Sequence, residues 1–387
     1  MGHKYQIDKI REHFGEDTAI IALMSGNFTQ RGEVAVTDKL IRARCACDSG
    51  VNLVLELPFP FSMSSADYFA RSAVSIFNRL GFVDYLSFGS ESGRIEELDA
   101  IARAMLSEDF DEEFKKIKDA SIGYAKKCEM ALSALGLTQN IDFSPNNILA
   151  IEYIKALISS SSSIIPHTIK RNGADYNSCE IEATVLPSAM AIRGALGKAG
   201  TVNDISNLIP KQTVSTIKKA VLNGNMPTDP ERLSSAVISH FRMNPKPSVD
   251  ILECDGGLYS RLYNAAIGAN SIESLLSLSQ TKIYTNAKIR RAMWYAFFGV
   301  TSSDMNAMPS YTQLLALDKI GMSLLHSGAK DSGIPILTKP SSTGGLSAQA
   351  LHLKELSDKA DSVFELTKPI PKKGNSSLTL TPYVNNG

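Results

Sequence analysis

No apolar run in this sequence reaches membrane length. The longest, such as Ala292 to Phe298, stop far short of the roughly 18 residues that read as a span. A charged n-region followed by an apolar h-region is also missing from the N-terminus, so no signal peptide is expected. Cysteine is scarce and unpatterned. Cys45, Cys47, Cys128, Cys179 and Cys254 form an odd set with no CxxC spacing and no histidine at ligand distance. That argues against a disulfide framework and a zinc site, and it fits reduced thiols in a cytoplasmic protein with no metal of its own. An excess of charge of either sign is absent too: 40 Lys+Arg balance 40 Asp+Glu. Any polyanion must therefore be met by a local basic patch and not by global attraction. What is present, 43% hydrophobic and 21% charged residues over 387 positions, is the balance of a globular protein of two or three domains.

The apolar periodicity alternates between two kinds of element. Tyr5 to Phe14 has helical spacing, and Thr18 to Met24 is a continuous apolar run of strand length. Asp38 to Ser49 reads as a helix closed by Gly50, and Asn52 to Leu57 as a buried strand. Ala66 to Leu80 and Tyr85 to Phe88 repeat the pair. Such alternation predicts an α/β domain with a parallel sheet, and a ligand site at the carboxyl ends of the strands. The loops there are Ser25 to Gly32, Pro58 to Ser62 and Gly89 to Gly93. Arg94 to Leu135 is charge-rich and helical, an insertion or lid. Ser144-Pro145 opens a further helix, and Ile164 to Lys170 reads as a strand. Beyond Gly200 the pattern is almost entirely helical, and the tail from Lys368, rich in Pro, Ser, Asn and Lys, is expected to be loosely ordered.

Several residues have chemistry worth weighing. Gly2-His3 opens the first helix, a weak signal alone, since a glycine before a helical histidine is commonplace. Ser188 stands as N-cap to a helix carrying Ile192, Ala195 and Leu196, whose free first-turn amides suit a phosphate, although a capped surface helix explains it as simply. Asn146 and Asn147 lie in the first turn after Pro145, where a carboxamide offers both donor and acceptor to a base or ribose; the plainer role is a cap. Lys288, Arg290 and Arg291 precede the run Met293 to Phe298, a pattern suited to a phosphate-tracking surface or to a solvated helix face. His13, His167, His240, His326 and His352 are scattered, in no spacing that argues for a metal or a triad.

Six segments in order resemble the bacterial tRNA(Met) cytidine acetate ligase family, of the nucleotidylyltransferase superfamily with an HxGH motif. They are Met24 to Ala35; Phe88-Gly89-Ser90-Glu91; Ser144 to Leu149 with Ile151-Glu152-Tyr153; Arg171 to Tyr176; Ser188 to Arg193; and Thr281 to Thr285 with Ile289-Arg290-Arg291. Each is modest alone, and their order over most of the chain makes the resemblance specific.

The resemblance implies a Rossmann-like nucleotidylyltransferase domain over residues 1–200 with a helical insertion at about 94–135, and a mainly helical tRNA-binding domain over 201–387. It makes His3 the second histidine of the motif, with Gly2 beside it, facing the phosphates of ATP at a helix N-terminus. The Ser-x-x-x-Ile-Arg spacing of Ser188, Ile192 and Arg193 supplies further phosphate contacts, with Met190 where a threonine is often found. Gly89, Asn146 and Arg171 become nucleotide contacts, Asn146 in preference to Asn147, and Lys288, Arg290 and Arg291 become RNA contacts. ATP and Mg²⁺ are the implied cofactors; acetate and elongator tRNA(Met) are the implied substrates.

The family's first strand, its Asn-Pro turn and its first histidine are absent, so the chain reads as N-terminally truncated. A start codon assigned too late is favoured over loss of the strand, because an unfilled central position costs roughly several kcal/mol in unpaired edges. On that reading the chain as written folds poorly or binds ATP weakly. Another adenylyltransferase of the superfamily and a non-catalytic RNA-binding protein are the alternatives. A class I aminoacyl-tRNA synthetase is disfavoured by the lack of a Lys-Met-Ser-Lys-Ser-like loop.

Overall fold

The computed structural model describes residues 2–119, 122–137, 143–171, 206–328, 332–339, 341–374, 379 and 381–386. The first part alternates as expected: α1 (Gly2–Phe14), β1 (Ile21–Ser25), α2 (Lys39–Asp48), β2 (Leu53–Leu57), α3 (Ala66–Leu80) and β3 (Tyr85–Ser90). The charge-rich stretch forms α4 (Ile95–Ala104), α5 (Glu108–Lys116) and α6 (Tyr124–Ala134); then come α7 (Pro145–Ser159) and β4 (Ile165–Lys170). Local chemistry sets several boundaries. The Asp38 side chain accepts from the Ile41 amide at 3.0 Å to cap α2, and Pro145 takes the first helical position of α7, where no amide hydrogen is needed.

The later chain supplies α8 (Lys211–Leu222), α9 (Ser234–Met243), α10 (Leu258–Gly268), α11 (Ile272–Ser279), α12 (Asn286–Phe298) and α13 (Ser302–Asn306). It then departs from the almost entirely helical expectation. A buried strand, β5 (Thr312–Asp318), is followed by α14 (Lys319–Gly328), β6 (Ile336–Leu337), α15 (Ala348–Phe364) and β7 (Tyr383–Asn385). β1 and β2 are parallel, with Ile21 opposite Leu53; β5 runs antiparallel to β2, with Leu53 opposite Leu317. β6 and β7 both pair parallel with β5. The sheet thus draws strands from both sides of residue 200. The expected loose tail is anchored at two points: Lys368 is buried and bonded to Glu365 at 2.6 Å, and Tyr383 donates to Asp48 at 2.9 Å.

β3 and β4 form a separate parallel pair, with Tyr85 opposite Ile165. Among the described residues no strand joins β1 to β3. α1 spans the two sheets instead. Its Ile7 enters the cluster of Ile20, Val54 and Leu315, its Gln6 side-chain Nε2 donates to the Ser87 carbonyl at 3.2 Å, and Phe14 lies 4.5 Å from the Tyr85 ring.

Alternation along β2 divides the core. Leu53, Leu55 and Leu57 face the large cluster containing Phe28, Phe59, Trp294 and Phe298; Val54 faces the smaller one with Ala43 and Cys47 of α2. Each such leucine contributes about 1.5–3 kcal/mol by leaving water, so this strand anchors both layers. Among the described residues no helix is long and apolar enough to cross a membrane.

Candidate active site

Parallel strands aim their carboxyl ends at one edge of a sheet, and there the loop after β3 meets the end of β4 and the start of α7. The β-ladder continues one residue past β4, with the Arg171 amide donating to the Ser90 carbonyl at 3.0 Å. Gly89 lies under the Arg171 side chain: a Cβ at Gly89 would stand 3.3 Å from Arg171 Cγ. The missing side chain is what lets the guanidinium stem cross the strand end.

Glu91 and α7 hold this loop by reciprocal bonds. The Asn147 side-chain oxygen accepts from the amides of Glu91 (3.0 Å) and Ser92 (3.2 Å), and the Glu91 carboxylate accepts from the Asn147 amide (2.8 Å) and the Asn146 carboxamide (2.5 Å). A carboxylate at a helix N-terminus is favoured by the free amides there. Asn147 is fully buried, a scaffold residue, whereas Asn146 keeps access to solvent. Glu91 was not singled out from the sequence, although its place one residue past a strand end was a signal.

Gly2 and His3 form the solvent-exposed N-terminus of α1. Desolvation of the imidazole, then neighbouring positive charge including Arg171, lowers the His3 pKa from 6.5. Because the residue is exposed, the charge repulsion is the sounder of those causes. Arg171 is among the charges that act on the His3 ring. Ser188 and Arg193 lie outside the described residues.

The loop after β1 is a tight hairpin. Thr29 donates to Glu33 at 2.9 Å, Gly32 to Thr29 at 2.8 Å and Ala35 to Asn27 at 2.9 Å. Beneath it sits a buried ionic network that the sequence reading missed. Lys39 Nζ lies 2.8 Å from Glu56 and 2.7 Å from Asp361 on α15, and Asn27 bridges Asp361 (2.8 Å) and the Lys39 amide (2.9 Å). Burial opposes the Lys39 charge, but the Asp361 and Glu56 carboxylates outweigh it and raise the pKa; burial raises that of Glu56, with Lys39 opposing. The mark in the sequence was one glutamate inside the apolar run Leu53-Val54-Leu55-Glu56-Leu57, since a buried charge requires a buried partner.

The three basic residues of α12 separate. Lys288 pairs with the exposed Asp255 at 2.9 Å, and Arg290 stands 3.7 Å from Glu33. Arg291 is not at the surface. It is 8% exposed, bonded through Nε to both carboxylate oxygens of Glu253 at 3.0 Å, and directed at the Gln30 carbonyl at 3.4 Å. Its expected RNA contact is corrected on that ground, because the guanidinium is committed inside the protein. The helical spacing of Arg291, Trp294, Tyr295 and Phe298, all buried, was the available signal.

A mostly parallel sheet with a histidine-bearing helix start, a close-approach glycine and an arginine at adjoining strand ends defines a nucleotide-handling α/β protein. The chain belongs to the HIGH Nucleotidyl Transferase family, whose model matches residues 1–377. It is 35% identical over 354 residues to the tRNA(Met) cytidine acetate ligase of Acetivibrio thermocellus, covering 87% of this chain and 85% of that one. To the protein of the same name from Halothermothrix orenii it is 33% identical over 410 residues, covering 100% and 96%. Its structure is similar to that of Thermotoga maritima TmcAL in the apo form, with a TM-score of 0.92 and 26% identity over 100% of this chain and 96% of that one. The form of that protein bound with alpha-thio ATP aligns with a TM-score of 0.87 over the same shares, at the same 26% identity.

Proposed function

We propose that this chain is an ATP-dependent tRNA(Met) cytidine acetate ligase acting in the cytoplasm. The single observation that supports this best is the close approach of Arg171 to Gly89 at the ends of β3 and β4, in a fold similar to one bound with alpha-thio ATP. In the first step an acetate oxygen attacks the α-phosphorus of ATP and pyrophosphate leaves, giving acetyl-adenylate. In the second, N4 of the wobble cytidine of elongator tRNA(Met) attacks the acetyl carbonyl, AMP leaves, and N4 loses a proton.

The protein's part is positioning and charge stabilisation, since neither step needs a side-chain nucleophile. His3 and the free amides at the start of α1 offer donors to phosphate, and Arg171 adds fixed positive charge. Gly89 leaves room for the nucleotide, and Asn146 offers its carboxamide. Ser188 and Arg193 are proposed as further phosphate contacts. Mg²⁺ bound with the nucleotide would offset charge on its phosphates. The helices from α8 onward take the tRNA, with Lys288 and Arg290 as backbone contacts. Both side chains are partly exposed, and each is paired with a carboxylate that a phosphate would have to displace.

The test is ATP–pyrophosphate exchange with and without acetate, followed by transfer of labelled acetate to tRNA. Acetate-dependent exchange, and product that forms from acetate and ATP but not from acetyl-CoA alone, are the expected results. Product from acetyl-CoA without ATP would overturn the proposal. RNA binding with no acetate-dependent exchange would favour a non-catalytic protein.

A further inference from the structure

α12 touches two loops at the carboxyl edge of the sheet. On the loop after β1, the Trp294 indole donates to the Gly32 carbonyl at 3.0 Å, and Arg291 reaches the Gln30 carbonyl. On the loop after β2, the Tyr295 hydroxyl donates to the Met63 carbonyl. The hairpin tip lies hard against the helix. Gly32 has φ +72°, and a Cβ there would stand 2.7 Å from Arg290 Cβ and 2.8 Å from the Arg291 amide nitrogen. Phe28, at the hairpin base, packs 5.2 Å from Trp294 and 5.1 Å from Phe298.

Behind the helix stands Glu253, the counter-charge of Arg291. It adopts φ +58°, a left-handed backbone conformation that a residue with a side chain rarely takes. Such strain persists only where the surroundings hold it, and the ion pair with Arg291 is part of those surroundings.

We propose that Arg291 is a positioning residue for adenylate formation: held by Glu253 and aided by Trp294, it fixes the Gln30–Gly32 tip in the geometry the nucleotide site requires. This rests on the function proposed above. It assigns the α12 guanidinium to the first step and not to tRNA. The guanidinium meets neither substrate and acts through the loop.

Trp294 is the only tryptophan in the sequence, so its fluorescence reports the brace directly. The full chain carrying Arg291→Lys keeps the charge but loses the planar fork that spans Glu253 and Gln30. Three measurements apply to it and to Trp294→Phe: acetate-dependent exchange, tRNA retention at two salt concentrations, and thermal melting; acrylamide quenching of Trp294 is added for Arg291→Lys. Expected are a fall in kcat for exchange of roughly 10- to 100-fold with KM for ATP nearly unchanged, readier quenching in Arg291→Lys, and an unaltered salt slope for tRNA.

Restoring guanidinium geometry matters more than restoring charge, so Glu253→Gln, which still accepts from Arg291, should lose less than Arg291→Lys. Wild-type exchange and quenching in Arg291→Lys would overturn the proposal, as would a flattened salt slope with exchange intact. If the unaltered protein shows no acetate-dependent exchange, the proposed function fails on its own, and the quenching arm still decides whether Arg291 holds the loop.

Discussion

Glu91 and Asn147 bond to each other twice: the Glu91 amide donates to the Asn147 side-chain oxygen at 3.0 Å, and the Asn147 amide donates to the Glu91 carboxylate at 2.8 Å. Each residue supplies what the other's backbone lacks, so the loop after β3 and the first turn of α7 are one unit. Asn147→Ala should leave the amides of Glu91 and Ser92 without their acceptor, at about 1–3 kcal/mol for each buried group left unmet. Denaturant unfolding measures this; a loss below the error of the method would show that the loop finds other partners.

The Lys39 network predicts a pH-dependent defect. A lysine whose pKa is raised in the fold contributes stability that is present below its ordinary value of 10.5 and lost as pH climbs through the higher folded value. Lys39→Met would leave the Glu56 and Asp361 carboxylates without the cation that bonds them both, a loss of about 3–5 kcal/mol at neutral pH. Acid neutralises such a pair, so the gap to the unaltered protein should narrow as pH falls from 7 toward 5. A gap that is constant or widens over that range contradicts this account.

His3 carries the opposite sign. Its folded pKa lies below 6.5, so as pH falls past 6.5 the unfolded chain takes up the proton first and His3 detracts from stability. Phosphates arriving beside the ring favour the charged form. Nucleotide binding near pH 6 should therefore take up more protons than near pH 8, and more than in His3→Gln. Calorimetry in two buffers of different ionisation enthalpy measures the uptake, and equal uptake in both proteins would remove His3 from the phosphate site.

Lys288 and Arg290 lie at the accessible edge of α12. Replacing both with alanine should remove about two phosphate contacts and flatten the salt dependence of tRNA binding by about two units of slope. Filter retention across a salt series gives the slope directly. An unchanged slope would move the tRNA surface elsewhere.

The helices and strands through Lys170 were legible because their apolar residues repeat with clear periods and their ends carry Asp38, Gly50 or Pro145. β5 was not. The run Leu314 to Leu317 is buried on both faces, so it shows no alternation and reads equally as helix core. Its partner in the sheet lies far back in the chain, beyond any local signal. Gly89 and Arg171 were singled out through family-like segments, and the structure sets the Arg171 side chain against Gly89. Arg291 was misjudged because three basic residues in close succession resemble a patch, whereas a helix turns neighbours about 100° apart and so leaves Arg290 partly exposed while Arg291 is buried. Asp361 could not have been paired with Lys39 from the sequence, since only the fold brings α15 to α2.

The pairing of β2 with β5 sets a timetable for synthesis. Leu53 meets Leu317, so the inner strand waits for about 260 further residues, or roughly 13–50 s at ribosomal speeds of about 5–20 residues per second. Throughout that interval one edge of β2 is open in the growing chain, with five residues that end up fully buried. The nascent protein therefore passes through a long window in which a chaperone, or another unfinished copy, competes for that edge.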